Sequence, residues 1–197
     1  MTTIYLVRHG QTDWNVERRA QGQTDIPLNA TGIQQAEVCG AALNPNDYDV
    51  VITSQLQRAH KTAEIINNFL ELPFKVMEDF AERFFGDAEG LTLDERDKLY
   101  PDRNYPNQEA LEDFSNRIMA GLEHIHQNYL GKRVLLVSHG AVIYRMLSII
   151  SEDQVDIGVG GRRIENTSIS TIVRDKKFWV IQDYNRVNHL KIVQEKA

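Results

Sequence analysis

The chain has 197 residues, enough for one compact α/β domain with a sizeable core and room for a small insertion. It carries 22 Lys and Arg against 28 Asp and Glu, a net charge of −6. That balance argues against nucleic acid and against an anionic membrane surface as principal partners. The single cysteine, Cys39, excludes an internal disulfide, and its Ala-rich helical setting suits a small buried apolar side chain. The opening residues hold no basic region followed by a long apolar segment, and no apolar run approaches a membrane span. A soluble protein of a reducing, cytoplasmic compartment is expected.

In chain order, Ile4-Tyr5-Leu6-Val7 is a short β-branched and aromatic run that ends in Arg8-His9-Gly10, which reads as a buried strand. In open α/β sheets, ligands bind outside the carboxyl ends of the strands, where Arg8 and His9 would sit. A fixed cation beside an imidazole, followed by a glycine that admits close backbone approach, suits an oxygen-rich anion such as phosphate. A lone His at a strand end is as readily structural. Residues 13–24 form a polar loop rich in Arg and Gln. Asn29-Ala30-Thr31-Gly32 opens a helix to about Leu43, with Asn29 or Thr31 as N-cap. Residues 44–47 are a turn and 48–53 a strand. A helix follows from Ala59 to Leu70 with Arg58 in its first turn, where guanidinium and helix N-terminus together favour an anion.

Phe74-Lys75-Val76 reads as an edge strand. After Glu82, Gly86 and Glu89-Gly90, the text from Leu91 to Gln108 is charged, weakly periodic and punctuated by Pro101 and Pro106. It suits a small lid over the carboxyl ends of the strands. Residues 109–129 give the clearest helix, with Leu111, Phe114, Ile118, Leu122, Ile125 and Tyr129 three or four apart. Val134-Leu135-Leu136-Val137 then runs into Ser138-His139-Gly140 and repeats the opening pattern. Two such ends in one sheet can bring both imidazoles to one crevice, which weighs against a purely structural His9. A mostly apolar helix over 141–150, a loop over 158–163, a hairpin of 167–173 with 178–181, and a frayed tail from Gln194 complete the chain.

Arg8-His9-Gly10 with Thr12 and Asn15 resembles the signature of the histidine phosphatase superfamily, the phosphoglycerate mutase-like proteins. The resemblance continues in order through Gln21-Gly22, Ser54 to Arg58-Ala59, Glu82, Gly86, Glu89-Gly90, Glu109 and His139-Gly140. It implies a three-layer α/β/α sandwich with a mostly parallel sheet, one domain over 1–197, and the lid insertion at about 91–108. It also implies that His9 is phosphorylated while Arg8, Arg58 and His139 clamp the phosphoryl group. Asn15, Gln21, the Gly22 backbone and Gly140 would complete the pocket.

Glu82 matches the family's general acid. That role needs a carboxyl pKa raised by apolar company, for which Phe80, Phe84 and Phe85 are at hand. The residues alone point the same way for the phosphate: Arg8 and Arg58 can offer forked donors, and a protonated His139 adds another. The attacking imidazole must be neutral, and its other ring nitrogen needs an acceptor such as a backbone carbonyl. No metal motif is visible; His124 and His126, two apart on a helix, diverge, and they and His60 read as solvated. His189 and Asn166 resemble family positions near the site, with structural roles equally open. No Walker loop is present.

The expected activity is metal-independent hydrolysis of a small phosphomonoester, with no cofactor. The alternative is a phosphoglycerate mutase. Against it, residues 91–108 are short for a mutase insertion and hold Arg96, Lys98 and Arg103 but no adjacent Arg pair, and Phe85 stands where mutases place a tyrosine. A third reading is a non-catalytic phosphate-binding or scaffold protein of the same fold. The natural substrate is not legible, and a homodimer is compatible with the sequence.

Overall fold

The computed structural model describes residues 1–152, 163–175 and 177–190. All but Arg163 of the expected loop at 158–163, and the expected frayed tail from Gln194, lie outside the described residues, as does Lys176. The elements run β1 (Thr2–Arg8), α1 (Asp13–Val16), α2 (Ala30–Ala42), β2 (Val50–Thr53), α3 (Gln57–Leu70), β3 (Phe74–Val76) and α4 (Leu93–Leu99). They continue with α5 (Leu111–Asn128), β4 (Arg133–Ser138), α6 (Gly140–Ile150), β5 (Ile169–Asp175) and β6 (Phe178–Arg186).

The six strands form one sheet in the order β3-β2-β4-β1-β5-β6. The β3-β2, β2-β4 and β4-β1 pairs are parallel, whereas β1-β5 and β5-β6 are antiparallel. The inner parallel strands β2 and β4 are buried on both faces, as their unbroken apolar runs require, and alternate residues of the sheet feed two separate cores. Ile4, Leu6, Ile52, Val134 and Leu136 pack with Phe114, Ile118 and Leu122 of α5 and with Ile143 and Met146 of α6. Val7, Val51, Leu135 and Val137 pack with Cys39 of α2 and Ala59, Ala63 and Ile66 of α3. Helices therefore cover both faces, which is the expected three-layer α/β/α arrangement. Burying one such Leu or Ile stabilises the fold by roughly 1.5–3 kcal/mol. Cys39 is fully buried, its Sγ 4.0 Å from the Thr167 carbonyl, and burial pushes its thiol up to about 12.

The sequence expectations hold in outline. Asn29 caps α2 by accepting from the Gly32 amide, Arg58 lies in the first turn of α3, and β3 is an edge strand. Two short helices were not expected. In α1 and α4, the caps Thr12 and Thr92 each form a reciprocal capping box with Asn15 and Glu95, so about one or two turns are held where apolar periodicity is too short to read. Two histidines are also better partnered than expected. His126 is hydrogen-bonded to Thr2 Oγ1 at 2.9 Å beside Trp179, and His60 packs edge-on against Phe74. No helix among the described residues is long and apolar enough to cross a membrane.

Candidate active site

Parallel pairing sets the site's geometry. Arg8 and Ser138 are in register, and His9 N donates to the Ser138 carbonyl at 2.9 Å, so β1 and β4 end at one level. Neighbouring strands lie roughly 4.8 Å apart. The residues that follow them, His9 and His139, accordingly face each other with ring centroids at 5.3 Å. The end of β2 comes alongside, and Ser54 Oγ lies 2.6 Å from His139 Nε2. His9 Nδ1 is 2.7 Å from the Gly10 carbonyl, the backbone acceptor the chemistry requires. An acceptor there keeps the proton on Nδ1 and leaves Nε2 with a lone pair.

Burial first, then Arg58 and Arg8, holds the His9 pKa well below the usual imidazole range. His139 is lowered in the same way by burial, Arg58, His9 and Arg8. The charged donor that a protonated His139 would add is therefore disfavoured. In a dry site beside two guanidiniums a third cation is disfavoured, which favours the neutral His139 ring, whose Nδ1 is buried with no hydrogen-bond partner.

Arg58 is fully buried, and it also holds the loop before it, donating to the Gly22 carbonyl at 2.6 Å and the Thr24 carbonyl at 2.9 Å. Its Nε, like that of Arg8, has no partner. Burial lowers the Arg8 pKa to about 10, still far enough above neutrality to keep its charge. Gly22 has φ +53, and a Cβ there would meet Glu89 Oε1 at 1.8 Å. Glu89 in turn accepts from the amides of Gln23, Thr24 and Phe85, tying both walls together. The first amide of α3, on Gln57, is taken by Asp25 Oδ1 at 2.8 Å. One amide of the helix start is thus already taken by a carboxylate, whereas Arg58 keeps a buried, unpartnered Nε.

Glu82 is 8% exposed. Its carboxylate accepts from the Arg83 amide at 2.9 Å and from the Ala141 amide, in the first turn of α6, at 3.1 Å. Those bonds, together with Arg58 and Arg8, favour the charged form, yet burial outweighs them and the pKa is raised. Phe80 is buried beneath and Phe85 lines the cavity, whereas Phe84 is 38% exposed and contributes little. Sequence reasoning missed what holds Glu82. Arg117 on α5 donates to the carbonyls of Asp79 at 2.7 Å, Ala81 at 2.8 Å and Glu82 at 3.1 Å, and pairs with Glu109 through two nitrogens. Glu109 is engaged by Arg117 and does not line the cavity.

A cavity of about 480 Å³ opens over this floor. Arg8, His9, Asn15, Gln21, Gly22, Arg58, Glu82 and Gly140 all line it, while His139, fully buried, adjoins His9 at the floor. Arg8 lies directly against Gly140, where a Cβ would make only an ordinary contact with Arg8 Nε at 3.4 Å. Asn166 donates to the His9 carbonyl at 2.8 Å and to Asn15 at 3.2 Å, so it braces the opening signature. His189 is buried against Thr167, away from the cavity. Among the described residues no group of three or more His, Cys, Asp or Glu side chains could hold a metal ion.

A model of the histidine phosphatase superfamily (branch 1) matches residues 4–187. A Bacillus subtilis (strain 168) protein named as the phosphatase PhoE is 48% identical over 96% of this chain and 97% of its own. A Klebsiella pneumoniae (strain 342) protein named as probable phosphoglycerate mutase GpmB is 33% identical over 96% of this chain and 95% of its own. Among solved structures, a phosphoserine phosphatase mutant from Entamoeba histolytica in complex with phosphoserine has a TM-score of 0.84 at 28% identity. It covers 96% of this chain and 100% of its own.

Proposed function

The chain belongs to the histidine phosphatase superfamily (branch 1) and is a phosphatase, and we propose that it hydrolyses small phosphomonoesters, without a metal ion, through a phosphohistidine at His9. The observation that carries this reading is a neutral His9, its Nδ1 held on the Gly10 carbonyl, lining the same cavity as Arg8 and Arg58. Its Nε2 lone pair attacks phosphorus in line with the ester oxygen. Arg8 and Arg58 donate to the equatorial oxygens, joined by Asn15, Gln21 and the backbone at Gly22 and Gly140. Ser54 donates to His139 Nε2, which leaves Nδ1 carrying the proton as a further donor to the phosphoryl group.

As the N–P bond forms and the ester P–O bond breaks, Glu82 gives its proton to the departing oxygen. The raised pKa is what lets it hold that proton. The Glu82 carboxylate then takes a proton from water as that water attacks phosphorus. The N–P bond breaks, inorganic phosphate leaves, and both groups return to their starting states. Residues 91–108 act as a lid within a single domain over 1–197, and a soluble, cytoplasmic enzyme acting on small molecules fits this chemistry.

Transfer to a second substrate hydroxyl, the mutase alternative, has less support. Among the described residues, 91–108 bring only Arg96 to the cavity, and the phosphatase-named relative shares far more identity than the mutase-named one. Exposure to an alkyl phosphate followed by a rapid quench should leave an acid-labile phosphate on the His9 peptide by mass spectrometry. A label confined to His139, or an unchanged burst in His9→Ala, would overturn the mechanism.

A further inference from the structure

The outermost strand carries an irregularity that its position in the sheet does not need. β6 has a free edge, and its residues alternate regularly between exposed and half-buried. Yet Ile169 pairs with Arg186 and Thr171 with Asp183, so Tyr184 and Asn185 together oppose Ser170 alone. Two residues against one make a β-bulge, a device that re-aims a side chain and is frequent beside functional sites. Asn185 sits in it at a φ of 54°, a left-handed conformation that Asn tolerates better than most residues with a Cβ. Its backbone amide donates to Ser170 Oγ at 3.0 Å.

The re-aimed side chain meets the segment that precedes β5. Asn185 Nδ2 donates to the Arg163 carbonyl at 2.9 Å, and Oδ1 accepts from the Glu165 amide at 2.8 Å. One partner is an acceptor and the other a donor, so the two bonds fix which way the side-chain amide faces. The Glu165 N–H and the Ile164 carbonyl belong to one peptide group, and in a trans peptide they point in opposite directions. Asn185 holds the N–H side. On the other side, the Ile164 carbonyl accepts from Arg8 Nη1 at 2.5 Å. Among the described residues that carbonyl is the one hydrogen-bond partner of the Arg8 guanidinium, whose Nε is buried with none. A neutral carbonyl orients the cation without cancelling its charge, so the charge stays available to an anion.

Resting on the reading of Arg8 as a phosphoryl clamp, we propose that Asn185 is a positioning residue for phosphoryl transfer. From the edge strand it sets the tilt of the Ile164–Glu165 peptide, and that peptide aims the Arg8 guanidinium at the reacting phosphate. Asn185 itself does not line the cavity, so its whole effect runs through one peptide plane. The same segment is tied further along, where Thr167 N donates to the Arg8 carbonyl at 2.9 Å and Asn166 to the His9 carbonyl at 2.8 Å. Those bonds fix the backbone at the end of β1. The bond that passes through Asn185 fixes the side chain.

The test pairs Asn185 with Arg8, reading kcat/KM on an aryl phosphate and inhibition by inorganic phosphate. Asn185→Gly removes both side-chain bonds and leaves a residue at ease with positive φ. It should lower kcat/KM and phosphate affinity by about tenfold each. In the Arg8→Gln background the same substitution should cost almost nothing further, because the group it positions is gone. A purely structural role predicts the same fold-loss in both backgrounds. Asn185→Asp keeps an acceptor for the Glu165 amide and should retain more of the rate than Asn185→Gly. Asn185→Ser, too short to reach either partner, gives the same pairwise reading should Asn185→Gly not fold. Unchanged kcat/KM on removing the side-chain amide, or an equal fold-loss with and without Arg8, would overturn the inference while leaving the phosphatase reading intact. An Arg8→Gln protein as active as the unsubstituted one would instead overturn the clamp, and this inference falls with it.

Discussion

His9 and Arg58, on the cavity floor, are 2% and 0% exposed, and each is bonded to backbone from its own or a neighbouring loop. Arg18, on the rim, is exposed at a positive φ of 57° on the turn after α1, and Arg96 reaches it from α4 by a bond of 3.5 Å. The floor is made of strand ends and helix starts whose positions follow from sheet register. The rim is made of short segments fixed by caps and single contacts. Precision of the kind chemistry needs is built where backbone hydrogen bonds are dense, and segments held by few bonds can change without disturbing it.

The contrast breaks most sharply at Glu82. Glu82→Gln keeps shape and hydrogen-bonding capacity but removes the transferable proton, so phosphorylation by an alkyl ester should slow by about 10²–10⁴-fold. A nitrophenyl ester, whose leaving group needs little protonation, should lose much less in the pre-steady-state burst. Equal losses on both in a stably folded variant would assign the acid elsewhere.

A smaller effect is expected at Arg117, which belongs to the floor although it touches no substrate. Arg117→Met leaves the Asp79 and Ala81 carbonyls without the side chain that bonds them, and takes one donor each from the Glu82 carbonyl, which keeps Gln23, and from Glu109, which keeps the Phe84 amide. We expect kcat on alkyl esters to fall about 10–100-fold with little change in KM, and stability to drop by about 2–3 kcal/mol. Arg117→Lys should recover part of the rate. A folded Arg117→Met protein with unchanged kcat would sever the link between this network and Glu82.

The gentlest probe is pH. His9 and His139 have pKa values lowered below 6.5, so between that value and their lowered ones the unfolded chain binds protons that the folded chain does not. Stability should therefore fall as pH drops below about 6.5, by up to about 1.4 kcal/mol per pH unit for each imidazole. Glu82 acts with the opposite sign: raised from 4.5, it makes stability fall as pH rises through the window above that value. Urea titrations across pH should show the imidazole slope reduced in His9→Gln; a slope that does not move would mean that His9 titrates normally in the folded state.

The sequence made the floor legible because its parts sit at the ends of strong local patterns. Two apolar runs ending in His-Gly, and an arginine opening an apolar helix, locate His9, His139 and Arg58 without any tertiary information. Glu82 and Gln21 were legible only through resemblance, since each sits in irregular chain with no periodicity around it. Arg117 and the pairing of Arg18 with Arg96 were not legible at all. Arg117 lies 35 residues beyond the Glu82 carbonyl it holds, and Arg96 lies 78 beyond the Arg18 carbonyl, distances at which a sequence carries no local signal. The ring state of His139 was open in the sequence for a different reason, because burial beside two arginines is a property of the assembled site.

Cys39 has a bearing on how such an enzyme meets oxidants. Peroxides and disulfides attack thiolates, and a thiol at about 12 in a sealed core forms almost none at neutral pH. With an imidazole as the proposed nucleophile and the chain's one sulfhydryl buried on α2, turnover should continue unchanged through an oxidative burst that silences thiolate-dependent enzymes.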